Sequence, residues 1–244
     1  MAYLKVLLIR HAQSMGNLQG QMEGQSSTEL SEQGHTQARK LSQRLIERHS
    51  LPTHIYSSPL RRAAQTAQSL HNALQDNALQ ATHQPATCQQ VEDLQEMHQG
   101  IFQGLTWDQA QAQYPRLCNQ LLSSLSWHPV PEAESLVAAR QRAQKWIDHI
   151  LSVHQPGETL WAISHEGILQ HLVAAILGCD RTWKIEIAHT AIFEFWLAQT
   201  PKQAPNSPPN PTPWQHLSHD RFNPEFWQVR HFNDSSHLTE RPVI

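Results

Sequence analysis

The chain carries a few short apolar runs set between longer amphipathic stretches. Leu4-Lys5-Val6-Leu7-Leu8-Ile9 is almost continuously apolar, the pattern of a strand buried on both faces. It ends on Arg10-His11 and passes at once into the polar segment Ala12-Gln13-Ser14-Met15-Gly16-Asn17. Thr159-Leu160-Trp161-Ala162-Ile163-Ser164 repeats the design and ends on His165. His54-Ile55-Tyr56-Ser57-Ser58 reads as a shorter strand and Ala86-Thr87-Cys88 as a weak one. Ala191-Ile192-Phe193-Glu194-Phe195-Trp196-Leu197 and Trp227-Gln228-Val229-Arg230-His231-Phe232 alternate with the strand period.

Helical spacing fills the intervals. Ser31 is the expected N-cap of a helix with apolar positions from Gln37 to Ile46, closed before Pro52. Pro59 is placed in the first turn of the next helix, whose inner face is Ala63, Ala64, Ala67 and Leu70. Residues 106–124 read as one or two short helices interrupted near Pro115. A further helix starts at Glu134-Ser135 and runs to about Val153. His165-Glu166-Gly167 reads as a turn, followed by a helix over 168–177 that Gly178 stops. Strands alternating with helices predict a three-layer α/β/α sandwich with a mainly parallel central sheet. Residues 199–213, extending at most to 225, are rich in Pro, Asn and Ser. They read as an insertion between the last two strands of a single domain over 1–244.

Composition narrows the function classes. A formal net charge of -3 over 244 residues gives no basic field for nucleic acid, so anion affinity must be local. No apolar run is long enough for a bilayer, and the first strand lacks a signal-type cleavage site. Cys88, Cys118 and Cys179 are scattered, odd in number and without metal-ligand spacing, which predicts reduced thiols and a cytoplasmic protein. The chain carries no mark of its oligomeric state.

The candidate chemistry gathers at element ends. Carboxyl ends of strands are where open α/β sheets place ligands. Arg10-His11 stands at one such end, with Ser14 and Asn17 just beyond. Ser57-Ser58-Pro59-Leu60-Arg61-Arg62 runs from a strand into a helix N-terminus, which favours anions. Leu94-Gln95-Glu96-Met97-His98-Gln99-Gly100 adds a carboxylate, and Ser164-His165-Glu166-Gly167 is again strand into helix. Each has an ordinary reading: a strand-end charge, a solvated helix arginine, a surface carboxylate, an N-cap. Together, two strand-end histidines, arginines and a carboxylate suit a phosphoryl group, since Arg grips its oxygens as a fork and neutral His can attack phosphorus.

At this point the chain resembles the histidine phosphatase superfamily, in its phosphoglycerate-mutase-like branch. The family opening Arg-His-Gly-Glu-x-x-x-Asn stands here as Arg10-His11-Ala12-Gln13-Ser14-Met15-Gly16-Asn17. Its Leu-Thr/Ser-x-x-Gly-x-x-Gln-Ala is similar to Leu30-Ser31-Glu32-Gln33-Gly34-His35-Thr36-Gln37-Ala38. Its Ser-Ser-x-Leu-x-Arg-Ala-x-Gln-Thr-Ala is present in full over 57–67, which assigns the family arginine to Arg62 and leaves Arg61 variable. Further matches run over 94–106, at Glu134-Ser135, at Ser164-His165 and over 227–238.

The resemblance implies a phosphatase that hydrolyses phosphomonoesters through a phosphohistidine on His11. Arg10, Arg62 and His165 would hold the phosphoryl oxygens, with Ser14 and Asn17 as further substrate contacts. Glu96 would be the general acid and base. His11 must attack as neutral imidazole, so its other ring nitrogen needs an acceptor, expected to be a backbone carbonyl. The resemblance implies no cofactor and no metal. Its substrate would be a small-molecule phosphomonoester or a phosphoprotein. Ala12, Gln13 and Glu166 depart from the family pattern. Glu166 rivals Glu96 as acid, because the acid-phosphatase branch places its donor directly after the second histidine. The mutases of the family carry a longer basic segment after the catalytic Glu. Here Arg116 is the only Lys or Arg between Thr106 and His128, which favours hydrolysis over transfer. A non-catalytic phospho-ligand-binding module is the third reading, against which the intact pairs of histidines and arginines weigh.

Overall fold

The computed structural model describes residues 2–48, 51–78, 86–124, 128–179, 181–182, 184–198 and 227–239. Six strands form one sheet: β1 (Leu4–Arg10), β2 (His54–Ser57), β3 (Thr87–Gln90), β4 (Thr159–Ser164), β5 (Ile192–Leu197) and β6 (Trp227–Asp234), in the order β3-β2-β4-β1-β5-β6. β3, β2, β4 and β1 pair in parallel, while β5 is antiparallel to both β1 and β6. The helices are α1 (Met15–Leu18), α2 (Glu32–Glu47), α3 (Arg61–Ala78), α4 (Trp107–Gln113), α5 (Pro115–Ser123), α6 (Leu136–Val153) and α7 (Glu166–Leu177).

The pleat divides the first strand between two cores. Leu4, Val6 and Leu8 pack with Trp146, Ile147 and Ile150 of α6 and Ile168, Leu169 and Leu172 of α7. Leu7 and Ile9 face Leu41 and Leu45 of α2 and Ala63, Ala67 and Leu70 of α3. α2 and α3 therefore cover one face and α6 and α7 the other, as the alternating pattern predicts. α4 and α5 build a smaller cluster around Phe102, Ala110 and Cys118. No described helix is long and apolar enough to cross a membrane.

Beyond shifts of one or two residues at strand and helix ends, two boundaries beside the site differ from the sequence reading. The helix expected over 168–177 begins at Glu166, with His165 as its N-cap, so the segment read as a turn is its first turn. Pro59 precedes α3 rather than opening it: the Ser58 hydroxyl accepts the Leu60 N–H at 3.2 Å, closing a turn before Arg61. Residues 199–226, which hold the Pro-rich stretch, lie outside the described residues.

Candidate active site

The parallel register assembles the centre. Arg10 is opposite Ser164 across β1 and β4, so the next residues, His11 and His165, emerge side by side at the carboxyl edge of the sheet. Their ring centroids are 4.9 Å apart. Ser57 pairs with Ile163, which brings Ser58 alongside, and its Oγ lies 2.8 Å from His165 Nε2. β5 runs the opposite way, so its amino end lies at this same edge. It delivers His189, whose ring centroid is 6.1 Å from that of His11.

His11 is buried, and its Nδ1 lies 2.7 Å from the Ala12 carbonyl oxygen. A carbonyl can only accept, so the proton sits on Nδ1 and the lone pair on Nε2. Arg62 Nε donates to that Nε2 at 3.2 Å. Burial, together with His165, Arg62 and Arg10, holds the His11 imidazole well below its ordinary pKa, against a smaller upward pull from the Ala12 carbonyl. His165 is pushed the same way by burial, Arg62, Arg10 and Arg142. His189 is lowered to about 4, by burial first and by Arg10. The three rings are thus kept neutral, the form in which an imidazole nitrogen is nucleophilic.

Both arginines converge here, and each is differently held. Arg62 is almost fully buried. Its Nη1 and Nη2 donate to the carbonyls of Ser26 and Gly24 at 2.6 and 2.8 Å. Glu23 stands 3.6 Å from its Nε. Arg10 Nη1 donates to the Ile187 carbonyl and pairs with Glu166 at 2.9 Å. The buried Nε of Arg10 and Nδ1 of His165 have no hydrogen-bond partner among the described residues. Both stand beside His11, where they can donate to the oxygens of an anionic ligand.

Glu96 is fixed by the start of α7. Its Oε2 accepts the Gly167 N–H at 3.0 Å, and its Oε1 accepts those of Ile168 and Met97 at 3.0 and 2.8 Å. The carboxylate fills the anion-favouring helix terminus. The glycine at 167 permits this approach, since a Cβ there would meet Glu96 Oε1 at 2.6 Å and push the carboxylate back. The loop that carries Glu96 is tied down by Arg142, which donates to the Asp93 and Gln95 carbonyls at 2.8 Å each. The Ser164 hydroxyl bonds Leu94 O at 2.7 Å.

The structure gives Ser14 and Asn17 work within the fold. Ser14 caps α1 and donates to Glu23 at 2.6 Å. Asn17 donates its amide to Glu23 at 2.8 Å, and its Oδ1 lies 3.0 Å from His189 Nε2. They support the wall behind Arg62. Gln13, at the family's glutamate position, accepts from the Ser31 hydroxyl at 2.8 Å and so joins β1 to the start of α2. Sequence reasoning passed over Glu23, Ser58, Arg142 and His189. Ser58 and His189 are visible in retrospect as polar residues beside strand ends. Glu23 lies in a segment without periodicity, and Arg142 is one helical arginine among others.

Among the described residues, one group has metal-ligand spacing: His54, His154 and Glu158, with donor atoms within 4.8 Å of one another. It lies at the opposite edge of the sheet. His154 Nδ1 meets Glu158 Oε2 at 2.7 Å and its Nε2 meets the Tyr56 hydroxyl at 2.8 Å. Those bonds account for the cluster as a brace of the turn between α6 and β4.

A covered α/β sheet with a neutral histidine, two guanidiniums and a carboxylate at its carboxyl edge is an arrangement suited to a phosphoryl group. A family model described as the histidine phosphatase superfamily (branch 1) matches residues 6–203. The chain belongs to that superfamily, and its class is that of the phosphomonoester hydrolases. It is 25% identical over 245 residues to phosphoglycerate mutase-like protein 4 of Arabidopsis thaliana, covering 98% of this chain and 88% of that one. It is 28% identical over 196 residues to putative phosphoserine phosphatase 2 of Hydrogenobacter thermophilus, covering 79% of this chain and 89% of that one. The solved structure of YhfR from Bacillus stearothermophilus superposes with a TM-score of 0.72 at 20% identity, covering 97% of this chain and all of that one, a likeness of fold.

Proposed function

We propose that this protein hydrolyses small phosphomonoesters in two steps at His11. In the first, the Nε2 lone pair forms a bond to phosphorus as the ester P–O bond breaks. The departing oxygen takes a proton from Glu96. In the second, water attacks phosphorus, the Nε2–P bond breaks, and Glu96 recovers the proton from that water. Arg10, Arg62 and His165 hold the equatorial oxygens, with the unpartnered Arg10 Nε and His165 Nδ1 as two of the donors. The guanidiniums supply positive charge that metal ions supply in other phosphoryl-transfer sites.

The observation that carries this reading is the His11 ring itself: Nδ1 tied to a carbonyl, Nε2 bearing the lone pair, and a buried guanidinium against it. Before attack Nε2 must release the Arg62 N–H, which then turns to a phosphoryl oxygen. Hydrolysis is favoured over transfer to a second phosphorylated acceptor because Arg116, exposed on α5, is the only Lys or Arg over 106–128. A small-molecule substrate is favoured over a phosphoprotein by the relative named for phosphoserine. The free thiols of Cys88, Cys118 and Cys179 support a reducing, cytoplasmic setting. The test is phosphate release from a panel of phosphomonoesters by wild type and His11→Ala, alongside transfer between 2- and 3-phosphoglycerate. Release that vanishes in the variant, with no transfer, is the expected result. Release that survives His11→Ala overturns the mechanism.

A further inference from the structure

Glu166 is the residue that the mechanism leaves unused. It opens α7, and its carboxylate meets Arg10 Nη1 at 2.9 Å. The N-terminal amides of α7 do not need it, because Glu96 already takes those of Gly167 and Ile168. Arg10 is one of two guanidiniums in the cleft. Three carboxylates stand against the two: Glu23 at Arg62, Glu96 at the helix start, and Glu166 at Arg10. The neighbouring histidines add no charge, being held neutral by burial. With Glu96 as the carboxylate that it is until it takes up the proton it later donates, this group is formally anionic, although it must accept an anion.

We infer that Glu166 is a specificity-determining residue that occupies the Arg10 guanidinium in the empty site, yields it to the incoming phosphoryl group, and then favours esters whose alcohol part bears an ammonium group. This rests on the phosphoryl site proposed above. A carboxylate and a phosphoryl group offer the same guanidinium similar acceptor oxygens, so they compete for it. Of the carboxylates, Glu166 is the one free to leave. Its side chain is 38% exposed, whereas that of Glu23 is 4% exposed, and Glu96 is held by three backbone N–H groups. Once displaced, Glu166 remains as a negative charge beside the bound ester. A cationic tail is attracted to it and a second anion is repelled, which is discrimination by difference in affinity.

The test measures orthovanadate binding by calorimetry for wild type, Glu166→Gln and Glu166→Asp, with melting temperatures to confirm folding. Glu166→Gln is expected to bind orthovanadate about three- to tenfold more tightly, the size of a partly exposed ion pair at a ligand-binding arginine. Turnover of 2-aminoethyl phosphate against propyl phosphate gives the second reading. The kcat/KM ratio favours the amino ester in wild type, falls by a similar factor in Glu166→Gln through KM, and is kept by Glu166→Asp. Equal orthovanadate affinity in wild type and Glu166→Gln overturns the competition. An unchanged ester ratio overturns the selectivity. A hundredfold loss of kcat in Glu166→Gln makes it the proton donor and overturns the assignment. Absence of orthovanadate binding in every variant overturns the phosphoryl site and this inference together. If orthovanadate binds but no ester is cleaved, the hydrolytic reading fails alone, and calorimetry still decides the competition.

Discussion

The two edges of the sheet each hold a close pair of histidine rings, and they are built to opposite ends. At the carboxyl edge, His11 and His165 lie 4.9 Å apart by ring centroid; at the amino edge, His54 and His154 lie 4.6 Å apart. His154 and His165 are both buried. What separates them is their partners. Both ring nitrogens of His154 are satisfied, by Glu158 and by the Tyr56 hydroxyl. At the carboxyl edge His165 Nδ1 and Arg10 Nε have no partner among the described residues. The charged neighbours differ as well. Burial lowers the pKa of His154 and the facing Glu158 carboxylate only partly offsets it, whereas at the other edge burial is reinforced, for His11 by His165, Arg62 and Arg10 and for His165 by Arg62 and Arg10. The histidine with both nitrogens satisfied braces a turn, and the one with a spare donor stands beside His11.

The contrast breaks first at His11. Its replacement by alanine removes the nucleophile, and kcat should fall by about 10⁴-fold or more, since residues acting as one catalytic unit are not compensated by their neighbours. A steady-state assay with a synthetic phosphomonoester checks this, and a loss below tenfold counts against the covalent route. Glu96→Gln should lower kcat by about 10³-fold, within the usual range for a lost general acid. The loss should shrink for esters with acidic leaving groups, which need less protonation. Equal losses across leaving groups would give Glu96 a merely structural place at α7.

His154→Ala tests the other edge. It strips partners from a buried tyrosine hydroxyl and from Glu158, at a cost of about 1–3 kcal/mol in unfolding free energy. It should leave kcat/KM within about twofold of wild type. Denaturant titration and a rate assay on one preparation read both, and a large loss of activity in a stable variant would erase the distinction between the edges.

The smallest effect concerns acid. An unfolded histidine takes its proton near pH 6.5, while folded His189 waits until about 4, and His11 and His165 are lowered too. The unfolded state therefore binds more protons in this window. The stability gained from neutral rings is complete above pH 6.5 and is lost as pH falls toward 4. His189→Asn should flatten that slope by at most about 1.4 kcal/mol per pH unit. Denaturation curves at pH 7, 6 and 5 measure it, and an unchanged slope would mean that His189 titrates alike in both states.

Much of this was legible along the chain because it depends on local pattern. The unbroken apolar runs ending at Arg10 and Ser164 mark parallel buried strands, and that register alone brings His11 and His165 together. The capping serines Ser31 and Ser135 stand where helix starts were expected. Other features depend on partners distant in sequence. The orientation of β5 is not encoded in its alternation, yet it decides that His189 reaches the site. Glu23 is buried only because Ser14, Asn17, Thr28 and Arg62 surround it. The first turn of α7 looked irregular because its amides are capped by Glu96 from another loop, a bond that no local pattern records.

The central claim is that phosphorus passes through His11 Nε2. The direct measurement is rapid acid-free quenching of the enzyme with a ³²P-labelled phosphomonoester, followed by peptide mapping. The account predicts an acid-labile, base-stable label on the peptide containing His11, formed before phosphate is released and absent from His11→Ala. Phosphate release with no labelled protein at any time, or a label on another residue, would contradict it.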